Sequence, residues 1–148
     1  IDGLALNVSY SKADGADVAG LTDEQAEEGG AIAGKYTTGP FTIGVGKAYS
    51  SLVLSDGSSD RAESYINTNY SLGYSINDNM SVSYTKEKSV QDMTTAATVT
   101  YDQTTSSVQA AYTMGGMTLA IARADYDNVA YAQNVDAVET MFAVTMAF

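Results

Sequence analysis

The stretch INTNYSLGYSINDNMSVSYT, residues 66–85, decides the fold class. Apolar or aromatic side chains stand at most alternate positions on both sides of a short Asn-Asp-Asn segment, residues 77–79. They are Ile66, Tyr70, Leu72, Tyr74, Met80, Val82 and Tyr84, and the positions between them carry Asn, Ser, Gly and Thr. A period of two is typical of a β-strand with two chemically different faces. The stretch therefore predicts two antiparallel strands joined by a tight turn.

The same alternation recurs along the chain and predicts eight strands in all. The other six are at 4–10, 32–36, 41–49, 108–114, 117–121 and 139–148. Tight turns at Gly39-Pro40, Asn77–Asn79 and Gly115-Gly116 alternate with longer connections, which is typical of membrane β-barrels rather than Greek-key sandwiches. The parity of the apolar positions changes between Tyr101 and Val108, so we expect either a bulge or a loop within residues 89–105.

Composition excludes several classes of function. The 148 residues suffice for one domain, and the net charge of -11 with only 7 Lys and Arg argues against a nucleic-acid partner. His and Cys are absent, which excludes His-based triads, thiol chemistry and Cys/His zinc sites, so we predict that the protein is not an enzyme. No apolar run reaches the ~18–20 residues that a membrane-spanning helix needs.

Aromatic residues on the apolar parity lie near the ends of the predicted strands. The predicted aromatic and lipid-facing positions are Tyr10, Tyr36, Phe41, Tyr49, Tyr74, Tyr84, Tyr112, Phe142 and Phe148. Two aromatic belts around a Leu, Ile, Val and Ala band indicate a lipid-facing surface, because such rings suit the boundary between hydrocarbon and water. A soluble β-sandwich would show the same alternation, with its apolar parity facing a core. The belts, the connection lengths and the terminal Phe148 favour a transmembrane barrel.

The opposite parity is polar and mostly small, and we predict that it lines a water-filled pore. The predicted pore-lining residues are Asn7, Ser9, Lys35, Thr37, Asn67, Asn69, Ser71, Ser81, Ser83, Thr85, Glu87, Gln109, Thr113, Thr118, Glu139 and Thr145. A complete eight-stranded barrel has a lumen filled by side chains, whereas these small residues favour a wider pore. Lys35 is the best inward-facing basic candidate, and Arg61 is a second one at a loop base. Arg123 falls on the apolar parity, so we expect it near the upper interface or in a subunit contact.

The long first connection is acidic. Asp14, Asp17, Asp23 and Glu24 form a weak candidate Ca²⁺ site, because hard cations prefer carboxylate oxygens. The spacing is not that of an EF-hand, and a solvated acidic loop is the simpler interpretation. No other cofactor is expected.

Three stretches carry a resemblance to a known family. SYSKADGADVAGLTDEQAEEGGAIAGKYTTGPFTIGVGKAY (9–49), AYTMGGMTLAIA (111–122) and the ending ETMFAVTMAF (139–148) resemble the C-terminal half of a Gram-negative outer-membrane general porin of the alphaproteobacterial type. The resemblance implies an all-β, antiparallel up-and-down transmembrane β-barrel of sixteen strands. About eight of them would lie here, within one barrel domain that includes residues 1–148, and a preceding strand would pair with the last one.

The resemblance also implies the function and the partners. It implies passive diffusion of small hydrophilic solutes and ions, a homotrimer in the outer membrane, and contact with membrane lipid and lipopolysaccharide. The outer-membrane insertion machinery would recognise the last strand through Phe148. In this family an inward-folded loop of the N-terminal half, outside this sequence, forms the constriction opposite basic wall residues. Two alternatives remain: a complete eight-stranded barrel with a structural or adhesion role, and a soluble β-sandwich binding module.

Overall fold

The chain forms eight strands in the computed structural model, which describes residues 1–13, 26–52, 62–94 and 98–146. The strands are β1 (Leu4–Ala13), β2 (Glu27–Thr38), β3 (Phe41–Ser51), β4 (Ala62–Asn77), β5 (Met80–Met93), β6 (Gln103–Met114), β7 (Met117–Asp127) and β8 (Ala137–Met146). A single 3-10 turn, Val129–Tyr131, lies in the β7–β8 connection. The prediction of eight strands is confirmed.

All eight strands belong to one antiparallel sheet in the order β1-β2-β3-β4-β5-β6-β7-β8. Each strand pairs with its neighbours in the sequence, so the topology is up-and-down throughout. The last strand pairs with β7, and Met117 lies opposite Met146 and Ile121 opposite Phe142. Strands β1 and β8 form the two edges of the sheet.

The three tight turns lie where the sequence predicts them. Gly39 and Gly115 have φ angles of 54° and 60°, a left-handed conformation that glycine adopts without the steric cost of a side chain. In the β4–β5 turn the backbone N–H of Asn79 donates to Oδ1 of Asn77 at 2.9 Å, the side-chain-to-backbone bond of an Asx turn. These turns lie at one end of the sheet, which we name the turn end; the opposite end is the loop end.

The strands extend further toward the loop end than hydropathy predicts. Strand β5 runs to Met93 and β6 begins at Gln103, so the connection between them is shorter than the interval between the predicted strands that end at Thr85 and begin at Val108. Residues 94 and 98–102 lie outside the strands, so Tyr101 belongs to a loop whereas Val108 belongs to β6. The change of parity between them is therefore due to a loop and not to a bulge. At these ends the backbones of polar residues are paired within the sheet while their side chains remain exposed to water. Lys12 and Glu28, for example, lie opposite each other and form an ion pair of 3.1 Å. Because the residues on both faces are polar there, the hydropathy of the sequence does not alternate and does not reveal the strand.

The described residues form a single layer. Among them no hydrophobic side chain is buried, and the buried residues are Ser51, Ser64 and Ser89. The same residues contain no helix long and apolar enough to cross a membrane. Within the described residues, both faces of the sheet are therefore accessible surfaces.

Candidate functional site: the polar face of the sheet

The strand register sorts the side chains into two faces. Residues directly opposite each other in an antiparallel pair point to the same side of the sheet. Asn69, for example, lies opposite Gly46 on one side and Glu87 on the other. Followed across the sheet, the pairings bring all sixteen predicted pore-lining residues to one face, which we name the polar face.

The other face, which we name the apolar face, carries the predicted aromatic residues. Tyr10, Tyr36, Phe41, Tyr49, Tyr74, Tyr84, Tyr112 and Phe142 share it, and Phe148 lies outside the described residues. At the turn end the rings of Phe41 and Tyr74 pack at 4.9 Å between centroids. Tyr101, a further aromatic residue of the apolar parity, lies outside the strands in the β5–β6 connection at the loop end.

The polar face has low relief and many hydroxyl groups. Gly44 lies opposite Ser71, and a Cβ added to Gly44 would come within 2.4 Å of the Ser71 Oγ. Next to the tight turns two threonine pairs join their hydroxyl groups, Thr37 with Thr42 at 3.2 Å and Thr113 with Thr118 at 3.0 Å. Such hydroxyls both donate and accept, so they can exchange hydrogen bonds with water or with a polar solute.

Charges on the polar face are few and unevenly placed. Lys35 lies near the turn end of β2, opposite Gly44, whereas Glu87 lies in the middle of β5 opposite Asn69 and Thr105. Neither side chain has an ion-pair partner among the described residues. Near the loop end Glu139 accepts a hydrogen bond from the Tyr126 hydroxyl at 3.3 Å. Arg61 lies outside the described residues.

On the apolar face each strand carries a run of apolar and aromatic side chains, which we name its apolar stretch. These stretches shift along the strands from one strand to the next, so together they form a diagonal across the sheet. One row of opposed residues demonstrates this: Leu4, Tyr36, Ile43, Leu72, Tyr84, Val108 and Arg123. On β1 the apolar stretch extends from this row toward the loop end, with its centre at residue 7. On β7 the stretch 117–121 lies below the row, toward the turn end, with its centre at residue 119. Arg123, the β7 member of the row, lies just beyond this stretch toward the loop end and forms an ion pair with Asp125 at 3.1 Å.

The diagonal has a measurable slope. The centre of the apolar stretch moves by about seven residues over the six steps from β1 to β7. With ~3.3 Å per residue and ~4.8 Å between strands, this displacement corresponds to an angle of roughly 40°. A flat apolar layer that crosses all the strands would therefore meet them at a tilt of that size.

Basic side chains above the apolar stretch were missed by sequence reasoning. Lys86 and Lys88 lie on the apolar face, opposite Tyr70 and Thr68. Lys47 lies on the same face but within the apolar stretch of β3, between Val45 and Tyr49 and opposite Ile32. Lys88 forms an ion pair with Asp102. The signal was present, because Lys86 and Lys88 continue the parity of Val82 and Tyr84, but the strand was expected to end before them.

Sequence reasoning also did not predict where the connection between β7 and β8 lies. Its 3-10 turn folds back over the polar face, and the Tyr131 hydroxyl lies 2.7 Å from the Ser89 Oγ. The rings of Tyr131 and Tyr65 are 5.7 Å apart between centroids. Alternation gives no signal for this contact, because the residues are far apart in the sequence and Tyr131 is not in a strand.

The candidate Ca²⁺ ligands Asp14, Asp17, Asp23 and Glu24 lie outside the described residues. Within the described ranges no group of three or more His, Cys, Asp or Glu residues could hold a metal ion. The predicted calcium site therefore stays a prediction.

Comparison with known proteins finds no match among protein-family models, curated proteins or solved structures. Function is therefore inferred from the two faces of the sheet and from the connection that crosses one of them.

Proposed function

We propose that the sheet is part of the wall of an outer-membrane porin, a water-filled channel for the passive diffusion of small hydrophilic solutes and ions. The diagonal apolar stretch carries this proposal. A flat hydrocarbon layer crosses tilted strands at residues that shift from one strand to the next, and the slope of roughly 40° falls within the ~35–45° tilt of transmembrane barrels. The resemblance of the hairpin sequences to general porins supports the same proposal.

The apolar face is the lipid-facing side of the proposed wall. Leu6 and Phe142 are 73% and 76% exposed, and burying apolar area from water is worth roughly 25 cal/mol per Å². Hydrocarbon chains would cover this face between the aromatic rings at its two boundaries. The basic side chains of Lys86 and Lys88, together with Arg123, lie on the loop side of the stretch, where phosphate headgroups would be.

The polar face is the lumenal side of the proposed wall. Its hydroxyl and amide groups supply hydrogen bonds to permeating water and solutes, and its glycine and serine positions keep the surface smooth. The edges of β1 and β8 must be paired in the membrane, because an unpaired backbone polar group in hydrocarbon costs several kcal/mol. The porin resemblance proposes further strands for this closure, as well as the homotrimer, the contact with lipopolysaccharide and the insertion of the last strand through Phe148.

Reconstitution tests the proposal. The protein is purified in detergent and added to a planar lipid bilayer, where we expect stepwise increases in conductance that persist without an applied ligand. A protein whose gel mobility shifts on heating but that never conducts would instead be a closed barrel with a structural or adhesion role. A protein that stays monodisperse without detergent would be a soluble sandwich.

A further inference from the structure

The β7–β8 connection crosses the polar face at the loop end. Ser89, which meets the Tyr131 hydroxyl, lies on β5, two strands away from β7. Tyr65, which packs against the Tyr131 ring, lies on β4, three strands away. The backbone of the connection lies against β6, and the Tyr131 side chain extends from there to β5 and to the Tyr65 ring on β4. An ordinary hairpin loop would continue the two strands outward instead.

Hydrogen bonds hold the connection in this position. The backbone N–H of Ala130 donates to Oε1 of Gln103 at 3.0 Å, and that of Tyr101 donates to the Tyr131 carbonyl at 3.1 Å. The Asn128 side chain donates to the Asp102 carbonyl at 3.1 Å. Each contact joins the connection to β6 or to the residues just before it, so the crossing segment is fixed along its length.

The backbone of the connection is strained where it crosses. Ala130 and Tyr131 have φ angles of 57° and 59°, a left-handed conformation that residues with a side chain rarely adopt. Such a conformation persists only where surrounding contacts determine it, and it often occurs where geometry serves function. Here the two residues are the ones that carry the Gln103 and Ser89 contacts.

We infer that the β7–β8 connection narrows the loop-side mouth of the proposed channel, separately from the constriction that the porin resemblance implies for the N-terminal half, and that Tyr131 is a size-determining residue of this mouth. This inference rests on the proposed function. The two side chains that contact the Tyr131 ring and hydroxyl, Tyr65 and Ser89, are neutral. Gln91 donates to the Tyr65 hydroxyl at 3.1 Å, and Gln103 accepts from the backbone N–H of Ala130. The Tyr131 ring therefore acts on the size of the solutes that pass.

The test compares single-channel conductance of the wild type with that of three variants. Tyr131→Ala removes the ring from the mouth, and we expect conductance to rise roughly 1.2- to 1.5-fold, because current follows the open cross-section. Tyr131→Phe keeps the ring, so we expect the wild-type value. Tyr84→Ala removes a ring from the apolar face, and conductance should also stay at the wild-type value.

A single thiol gives a second readout. The chain contains no cysteine, so Tyr131→Cys carries one reactive group. A bulky thiosulfonate reagent should lower the conductance of this variant and leave the wild type unchanged. Heat-dependent gel mobility establishes that each variant is folded before conductance is compared.

The outcomes separate the two proposals. A folded wild type that never conducts overturns the porin proposal and the narrowing at Tyr131 with it. A conducting wild type whose Tyr131→Ala current equals that of Tyr84→Ala, or whose Tyr131→Cys current ignores the reagent, overturns the narrowing at Tyr131 alone.

Discussion

The turn end and the loop end of the sheet are built by different rules. At the turn end, the β2–β3 and β6–β7 hairpins share the sequence Tyr-Thr-x-Gly-x-x-Thr, residues 36–42 and 112–118. Both form a two-residue turn with a left-handed glycine and a threonine hydroxyl pair beside it. At the loop end, Tyr131 adopts the left-handed conformation without glycine and depends on contacts with β4, β5 and β6. Local sequence determines one end, and contacts distant in the sequence determine the other.

The largest expected difference concerns a charge on the apolar face. Leu119→Arg places a guanidinium within the apolar stretch near the turn end, and we expect it to lower the free energy of unfolding by about 2–4 kcal/mol in a bilayer. Ser106→Arg, on the same face toward the loop end, should cost about 0–1 kcal/mol. Denaturant titration in lipid vesicles measures both. Equal losses would contradict a lipid boundary between the two positions.

A second difference concerns the left-handed residues. Gly115→Ala adds a side chain at a φ of 60°, and we expect a loss of about 1–2 kcal/mol in the free energy of unfolding. Ala130→Gly relieves the same strain at a φ of 57° but makes the unfolded chain more flexible, so we expect a gain of roughly 0–1 kcal/mol. Thermal and denaturant unfolding of the two variants provides the comparison. A loss in both would mean that the Ala130 strain is not relieved by glycine.

The smallest expected effect concerns ion preference and rests on the porin proposal. Glu87→Gln removes a carboxylate from the polar face without changing its shape, and the cation-to-anion permeability ratio should fall roughly twofold, because wall charges set ion selectivity. Lys35→Gln, nearer the turn end, should raise the ratio. Reversal potentials across a salt gradient give both values. Unchanged ratios in both variants would place the selective charges elsewhere.

Sequence reasoning succeeded where a residue's position follows from its neighbours. The alternation of residues 66–85 predicts β4 and β5, and Gly39 and Gly115 predict their turns. Sequence reasoning did not predict how far the strands extend toward the loop end. Glu27 and Lys88 belong to β2 and β5 through their backbone pairing, but their side chains are exposed to water and give no hydropathic signal. Sequence reasoning also failed at Tyr131, because no periodicity encodes a contact with Ser89, 42 residues away.

The pairing of each strand with its sequence neighbours alone has an evolutionary consequence. A hairpin can be duplicated or lost between two others without breaking any remaining strand pair, since the described strands are hydrogen-bonded only to their neighbours in the sequence. The repeated hairpin at residues 36–42 and 112–118 is what such a duplication would leave behind. The number of strands in the sheet can then change in steps of two without a change in the length of any remaining strand.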